Sequence, residues 1–393
     1  MVSLRPHDET AVMPLILQLL RLIGVWGDGP VRYRFVGIFS IYFFGMMVPK
    51  LLFGYPSLEA AVRGCAELIL ETNVYWGTLL FVMRHDHFAA LIEELRAVVN
   101  IVFRDYQPAV IRSYLTVHNQ RIHKYNLVYC VGMITAVTSY CMLPIWDSVS
   151  AYLFTDPHGN ESTIEYHLLM EEGFYGLNHR TSFTDYWIYT GFMVPINWAN
   201  AYTGAVKCLA IFDSIKYCET IQHVVVMKLD HLRALPALGS ERVEALTEVL
   251  ELHQRALRCA ELLEIVLQPV MLAQFVLCIL IWCTMMLYFV VSGINSNLLN
   301  MMILFLYVTI ETFGYCYLGT KLSEKSLEVG NALYATEWYT FDCKMQRNVR
   351  FMIMRSQNAS RLTAAKFAFV DMEGFGAMVN MSYSCFVVLK DLL

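Results

Sequence analysis

The sequence predicts an all-α integral membrane protein with seven transmembrane helices, a cytoplasmic N-terminus, an extracellular C-terminus and a helical cytoplasmic anchor region. Composition is the first reason. Of 393 residues, 57% are apolar, 13% aromatic and only 16% charged, where soluble domains carry about 25% charged residues. The second is a set of seven separate apolar runs, each near the ~20 residues that a helix needs to cross a bilayer. The third is an alternation of basic residues between those runs. Lys and Arg number 4 in residues 1–34, 6 in 82–126, 7 in 206–261 and 8 in 319–366, while residues 146–185 hold only Arg180 against seven acidic residues. Lys and Arg beside span ends stay in the cytoplasm. The four rich segments are therefore inside, the poor one is outside, and an odd number of crossings leaves the C-terminus outside.

The expected spans are residues 35–53, 58–82, 127–145, 186–210, 267–291, 298–318 and a short last one at 374–389, making 1–393 a single seven-span domain. Only a few residues separate the first span from the second, and the fifth from the sixth, which forces antiparallel neighbours joined on the outer side. Upstream, residues 11–26 are apolar but interrupted by Pro14, Gln18 and Arg21 and preceded by Asp8 and Glu9. A cleavable signal peptide has the reverse charge order, so this stretch reads as an uncleaved amphipathic helix at the inner interface. Residues 87–105 and 241–268 alternate charged and apolar side chains at helical spacing, which predicts cytoplasmic extensions of membrane helices packed together. Leu235-Pro236-Ala237-Leu238-Gly239-Ser240 reads as the turn between spans four and five.

The eleven cysteines include no Cys-x-x-Cys pair, and Cys130, Cys141, Cys278, Cys283, Cys316 and Cys385 fall in apolar runs, where a thiol behaves as a small hydrophobe. This gives no support for a metal site, a cofactor or a disulfide framework. A net charge of −5 without a basic face gives no ground for nucleic-acid binding, and the partner implied by composition is membrane lipid. Asn160-Glu161-Ser162 in the outer connection is an N-glycosylation acceptor sequence.

The last apolar run carries the most specific pattern. At 100° per residue, Glu373, Gly376, Asn380, Ser384, Val387 and Asp391 share a sector of roughly 80°, with Tyr383 at its border. The other side holds Phe375, Met378, Ser382, Cys385, Phe386 and Leu389, suited to lipid or neighbouring helices. Acids within membrane helices usually face a water-filled cavity, and rings of acids favour cations in a pore. The polar face therefore predicts a nonselective cation pathway with Val387 as a dewetting constriction, assembled from several subunits around an axis. The same residues also fit a monomeric bundle in which Asn380 and Ser384 make interhelical hydrogen bonds.

Over essentially its whole length the chain resembles the insect odorant receptors, most densely in its last third. Tyr315-Cys316-Tyr317-Leu318-Gly319, Ser323 to Leu327, Ala332-Leu333-Tyr334 and Trp338 follow that family's sixth span and its exit. Arg355-Ser356-Gln357, Leu362-Thr363-Ala364, Phe367 and Phe375 continue the pattern. Ser382-Tyr383-Ser384-Cys385-Phe386-Val387-Val388-Leu389 resembles its Thr-Tyr-Ser-Tyr-Phe-Thr-x-Leu ending, with Cys385 in place of an aromatic and Lys390 in place of Arg. Leu250, His253 and Ala260 to Leu263 resemble the approach to its fifth span.

The resemblance implies a subunit of a tetrameric ligand-gated cation channel in the plasma membrane of olfactory-neuron dendrites, with the seventh helix lining the pore. It also implies a co-receptor partner. The co-receptor carries a long insertion between spans four and five; the compact connection here marks an odorant-binding tuning subunit. The odorant pocket is implied in the outer half of the bilayer among spans two, three, four and six. There the chain places Leu68, Thr72 and Tyr75; Thr138, Met142 and Ile145; Tyr189, Met193 and Ile196; and Met301 and Phe305. A small volatile odorant would be held by apolar contact and one hydrogen bond, with Thr72, Thr138 and Tyr189 as donors.

A gustatory-type chemoreceptor channel is the nearest alternative, although its Gln-Phe ending is not found after Tyr383. A G-protein-coupled receptor requires the opposite orientation. An inverted seven-span membrane enzyme would need metal ligands beyond His85-Asp86-His87, and no catalytic residues are expected. A secondary transporter would show repeats or paired broken helices.

Overall fold

The structure, a computed structural model, describes residues 11–27, 32–103, 109–154, 165–235, 240–292 and 297–392. Helix α1 (Pro14–Ile23) precedes α2 (Arg32–Tyr42), which continues through a π turn at Phe43–Met47 into α3 (Val48–Leu52). Then come α4 (Leu58–Met83), α5 (His85–Val102), α6 (Ala109–Phe154), α7 (Phe183–Ala234), α8 (Ser240–Ser292) and α9 (Asn297–Tyr334). A 3-10 turn at Trp338–Thr340, α10 (Cys343–Ser356), a hairpin of β1 (Thr363–Ala364) and β2 (Ala368–Phe369), and α11 (Met372–Leu392) follow. The acceptor Asn160 and residues 236–239 of the expected turn lie outside the described residues.

The long helices reach far beyond a bilayer. α7 and α8 have 52 and 53 residues, about 80 Å each at 1.5 Å per residue, against a hydrocarbon core of about 30 Å. Among the described residues, four helical stretches, Tyr33–Leu52, Ala109–Leu153, Glu241–Ser292 and Asn297–Tyr334, are long and apolar enough to cross a membrane by length and composition. The other three expected spans fall in α4, α7 and α11, whose sequences are more polar. α4 carries Arg63, Glu67 and Glu71, all buried inside the protein, and Arg63 and Glu67 are matched there by protein groups instead of lipid.

Local chemistry sets the breaks. Pro14 opens α1, where a missing N–H costs nothing. Gly24, at φ 81°, closes it, and Val25 N–H reaches the Leu20 carbonyl at 2.9 Å, an arrangement that favours glycine because φ is positive. Six apolar side chains of α1 are buried, and the Tyr202 hydroxyl donates to the Leu19 carbonyl at 3.1 Å; the amphipathic helix is packed on α7. The π turn lies just before Pro49, whose ring displaces the i−4 carbonyl and supplies no donor. Within α6, Pro144 likewise leaves the Tyr140 carbonyl without its helical donor. Asn300 of α9 donates to that carbonyl from Nδ2 at 3.3 Å, tying α6 to α9.

The base is helical. α5 buries Phe88, Leu91, Ile92 and Leu95 against the N-terminal half of α8, and Arg255 Nη1 pairs with Glu94 at 3.0 Å across them. These are the two amphipathic stretches expected to pack together. Near α11, Ala365 and Lys366 at φ 50° and 63° form the hairpin turn, and Thr363 N–H donates to Glu264 of α8 at 2.9 Å. A Cβ on Gly319 would stand 2.0 Å from the Val370 carbonyl. The bare Cα lets the strand that leads into α11 lie directly on α9.

Two histidines of the base are buried neutral. Burial, reinforced by Lys216 and Arg121, brings His118 from 6.5 down to about 4, and Thr220 Oγ1 lies 2.8 Å from its Nε2. Burial, with Arg355 nearby, does the same to His253. The unfolded chain takes up protons below about 6.5 that the folded chain refuses until about 4, so folding stability falls as pH drops through that window. Thermal unfolding of the detergent-solubilised protein should therefore show Tm declining from pH 6.5 to 4, with a shallower decline in the His118→Gln, His253→Gln double variant.

Candidate functional site: a cavity between two buried ion networks, and an uncovered helix face

The outer network centres on Glu67. Its Oε2 accepts from Lys50 Nζ of α3 at 2.7 Å and its Oε1 from Arg63 Nε at 2.9 Å, one helical turn back on α4. Glu67 Oε2 also accepts the Glu171 N–H at 2.9 Å. Arg63 Nη2 donates to the Leu168 and Leu169 carbonyls, each at 3.1 Å, and Lys50 to the Glu171 carbonyl at 3.2 Å. Arg180 pairs with the Glu171 carboxylate. The connection between α6 and α7 is thus pulled down among the helices, and Leu168, Leu169 and Met170 are buried there.

A second network joins α4, α7, α8 and α9 deeper in the bundle. Lys207 Nζ lies 3.1 Å from Glu311 Oε1. Gln274 Nε2 donates to Glu311 Oε2 at 3.2 Å and accepts from Lys207 at 3.2 Å through Oε1. Tyr315 donates to Glu311 Oε1 at 2.8 Å.

Between the networks lies a cavity of about 420 Å³, enclosed by α4, α6, α7, α9 and Met170 of the connection. Its wall is almost wholly apolar: Leu70, Val74, Met133, Ala136, Val137, Ala201, Ile303 and Leu304. Tyr129, Tyr140 and Tyr307 add aromatic surface, and Glu71, Asn197 and Asn200 add polar atoms. Leu306 and Ile310, at the rim with Gly132, are exposed, so the cavity opens sideways between α6 and α9. The volume falls in the range of about 300–1,000 Å³ typical of small-molecule sites.

The wall lies on the helices that carry spans two, three, four and six, but none of the eleven residues expected to contact ligand forms part of it. On α4, Leu68 and Thr72 are half-buried, and Thr72 Oγ1 lies 3.0 Å from the Tyr42 hydroxyl. Tyr75 is buried, stacks on Tyr42 with centroids 4.2 Å apart and donates to Asn200 Oδ1. On α6, Thr138 and Met142 are exposed and Ile145 is half-buried. On α7, Met193 is buried and Ile196 half-buried. Tyr189 is buried, donating to the Met170 carbonyl at 2.8 Å and accepting its N–H at 3.2 Å. On α9, Met301 is buried and Phe305 half-buried.

Tyr75 and Tyr189 therefore stand one layer behind the wall and fix two of its members, Asn200 and Met170. Elsewhere the wall uses the helical neighbours Val137, Asn197 and Leu304, and it lies roughly one to two turns deeper along α6, α7 and α9. Glu71 was not singled out from the sequence, although a carboxyl within a membrane helix is itself the signal that would have found it.

On the single chain, the polar face of α11 is uncovered. Glu373, Gly376, Asn380, Tyr383, Ser384, Val387 and Asp391 are all exposed. On the opposite side Met378 and Ser382 are buried and Phe375 and Phe386 half-buried, while Cys385 and Leu389 are exposed. Phe375 packs edge-on against Trp282 of α8 at 5.6 Å and Phe313 of α9 at 5.5 Å. Asp371 Oδ1 accepts the Gly374 N–H at 2.8 Å and caps the helix. Near the inner end of α4, His85 lies 3.4 Å from Asp86, and among the described residues no group of three His, Cys, Asp or Glu side chains is placed to hold a metal ion.

This fold and site define a class: all-α membrane proteins that bury a small-molecule cavity inside the helix bundle. The chain belongs to the insect odorant receptor family, since the family described as 7tm Odorant receptor matches residues 59–383. It is similar to Odorant receptor 9a of Drosophila melanogaster, 25% identical over 367 residues that span 88% of each chain. It is also similar to Odorant receptor 2a of the same organism, 26% identical over 152 residues, 38% of this chain and 37% of that one. Among solved structures, the insect olfactory receptor OR5 from Machilis hrabei in complex with eugenol shares the fold with a TM-score of 0.74. That likeness covers 96% of this chain and 97% of the other at 14% identity. A second structure of OR5 gives 0.70. The protein is thus a member of a receptor family and not an enzyme.

Removing one partner from the outer network has a defined cost. Arg63→Met leaves two carbonyls and two carboxylates short of donors in a buried site, a loss of about 3–5 kcal/mol, and should lower Tm and surface delivery strongly. Arg258→Met, at an exposed pair 3.7 Å from Glu261, should change stability by under about 1 kcal/mol.

Proposed function

We propose that this chain is the odorant-binding tuning subunit of a heteromeric, ligand-gated, nonselective cation channel that works with a co-receptor subunit in the plasma membrane of olfactory neurons. In this reading the chain crosses the membrane seven times with its N-terminus inside, and several copies of α11, from this chain and its partners, surround one pore. The observation that carries the proposal is the uncovered polar face of α11, bounded by Glu373 at one end and Asp391 at the other. A helix that packs by Phe375, Met378 and Ser382 and presents amide, hydroxyl and carboxyl groups outward is built to line water in an assembly. The short interval between α7, ending at Ala234, and α8, starting at Ser240, supports the tuning role by resemblance.

The cavity supplies the ligand site and α9 the connection. Ile303, Leu304 and Tyr307 of α9 form part of the cavity wall, and Phe313, two turns further along, meets Phe375 of α11. A ligand that moves α9 thus acts on the pore helix through an aromatic contact. It opens the channel only to the extent that the open arrangement binds it more tightly. Val387 forms the constriction and Tyr383 lies one turn inward. Of the eleven residues expected near the outer ends of the spans, Tyr75 and Tyr189 contribute by holding the wall members Asn200 and Met170.

Whole-cell recording tests this. Cells expressing the chain with a co-receptor subunit should give cation currents reversing near zero when exposed to volatile aromatics, esters, alcohols and amines, and cells with either subunit alone should give none or a co-receptor background. Silence despite surface delivery and a responsive control receptor would reject the channel role. Glu373→Lys and Asp391→Lys should each reach the surface and reduce cation permeability or shift selectivity; unchanged permeation in both would remove α11 from the conduction path.

A further inference from the structure

The wall of the cavity contains a carboxyl group that the apolar reading does not use. Glu71 is 3% exposed and lines the cavity, yet neither of its carboxyl oxygens has a hydrogen-bond partner among the described residues. The Tyr129 and Tyr307 hydroxyls of the wall likewise have no hydrogen-bond partner among the described residues, whereas two other polar groups are committed. Asn200 accepts from Tyr75 and donates to Met46 Sδ at 2.9 Å, and Tyr140 donates to Glu67 at 3.4 Å. Asn197 lines the same cavity, and its Nδ2 is also without a partner among the described residues. Lys50, the cation from the adjoining network, is held by Glu67 and the Glu171 carbonyl.

Charge around the site is unequal. The outer network and its neighbours bury four acids, Glu67, Glu71, Glu171 and Glu172, against two buried cations, Lys50 and Arg63. Arg180, with a side chain 35% exposed, is the third cation. The Glu172 carboxyl oxygens have no hydrogen-bond partner among the described residues either. A buried carboxyl without donors is costly, and in a largely apolar cavity the missing donor comes from whatever occupies it.

We propose, resting on the odorant-binding role above, that Glu71 makes this cavity a site for volatile amines, with the ligand's basic nitrogen seated on the Glu71 carboxyl and its hydrocarbon body against Val74, Val137 and Leu304. An ammonium group offers several N–H donors and a positive charge, so it satisfies both carboxyl oxygens and offsets the excess acid. An alcohol offers a single donor and no charge, and a hydrocarbon offers neither. Whether the amine arrives protonated or takes the carboxyl proton onto its nitrogen, the product is the same ammonium–carboxylate pair. Such pairs are stronger than neutral hydrogen bonds and gain further strength in a site that excludes water. The exposed rim at Leu306 and Ile310 lets a neutral amine dissolved in the bilayer enter from the side.

The probes are 2-phenylethylamine, 2-phenylethanol and propylbenzene, matched in size and shape. Two measurements are made: odorant-evoked current in cells that also express a co-receptor subunit, and the Tm shift of the purified, detergent-solubilised chain. The amine should act at concentrations on the order of tenfold or more below those of the alcohol and hydrocarbon in both assays. Glu71→Gln, which keeps the shape and removes the charge, should erase that preference, and Val74→Trp, which fills the cavity, should abolish the amine's Tm shift. A Tm shift by the amine that depends on Glu71 but comes without current would uphold the amine site and reject the channel role. Currents in wild type evoked equally by propylbenzene, or an amine response unchanged in Glu71→Gln, would overturn the amine site and leave the channel role standing. Absence of any amine effect in both assays also overturns it. Should Glu71→Gln fail to reach the surface, the wild-type ranking of the three probes and the Val74→Trp result decide the matter.

Discussion

The Glu67 carboxylate is the constraint on which the outer half of this molecule depends. A carboxylate buried in a helix bundle survives only if each lone pair is met by a donor, and here the donors come from four separate parts of the chain: Lys50 of α3, Arg63 of α4, the Tyr140 hydroxyl of α6 and the backbone N–H of Glu171. Satisfying one charge therefore fixes the first helix against the second and draws an outer connection into the bundle. Met170 is carried along and becomes part of the cavity wall. The chain gains definition more than stability from this arrangement, because desolvating several charges offsets much of their attraction.

The inner network does for the other end what Glu67 does for the outer one. Lys207, Gln274 and Glu311 connect α7, α8 and α9, and Glu311 lies one turn beyond the wall residue Tyr307 on the same helix. The cavity is left between two rigid polar layers, lined mostly by apolar side chains. Space persists there because neither network can relax toward it without breaking hydrogen bonds. That is a physical basis for a preformed, mostly apolar site, and Glu71 is the carboxyl group within it.

Coupling from this site to α11 needs no long pathway. α9 forms one wall of the cavity and, through Phe313, one support of Phe375. The same helix receives the strand before α11, which lies on Gly319 with no space for a Cβ. The cavity wall and the support of α11 thus belong to one 38-residue element.

Composition and periodicity by themselves determined the helical membrane class, the packing of the α5 and α8 extensions and the two-sided character of α11, because each follows from the local order of apolar, polar and basic side chains. Residue order also carried the family resemblance. Sequence did not determine which side of α4, α6, α7 or α9 faces the cavity. In helices polar and apolar on several sides, neighbouring positions such as Thr138 and Val137 differ by about 100° in direction, and only packing against three other helices selects one. Nor did it determine that Arg63 and Lys50 would meet Glu67, or that Glu71, one turn further along, would be left without a partner. Those outcomes depend on contacts between residues as much as 121 positions apart, from Lys50 to Glu171, and a local pattern contains no information about them.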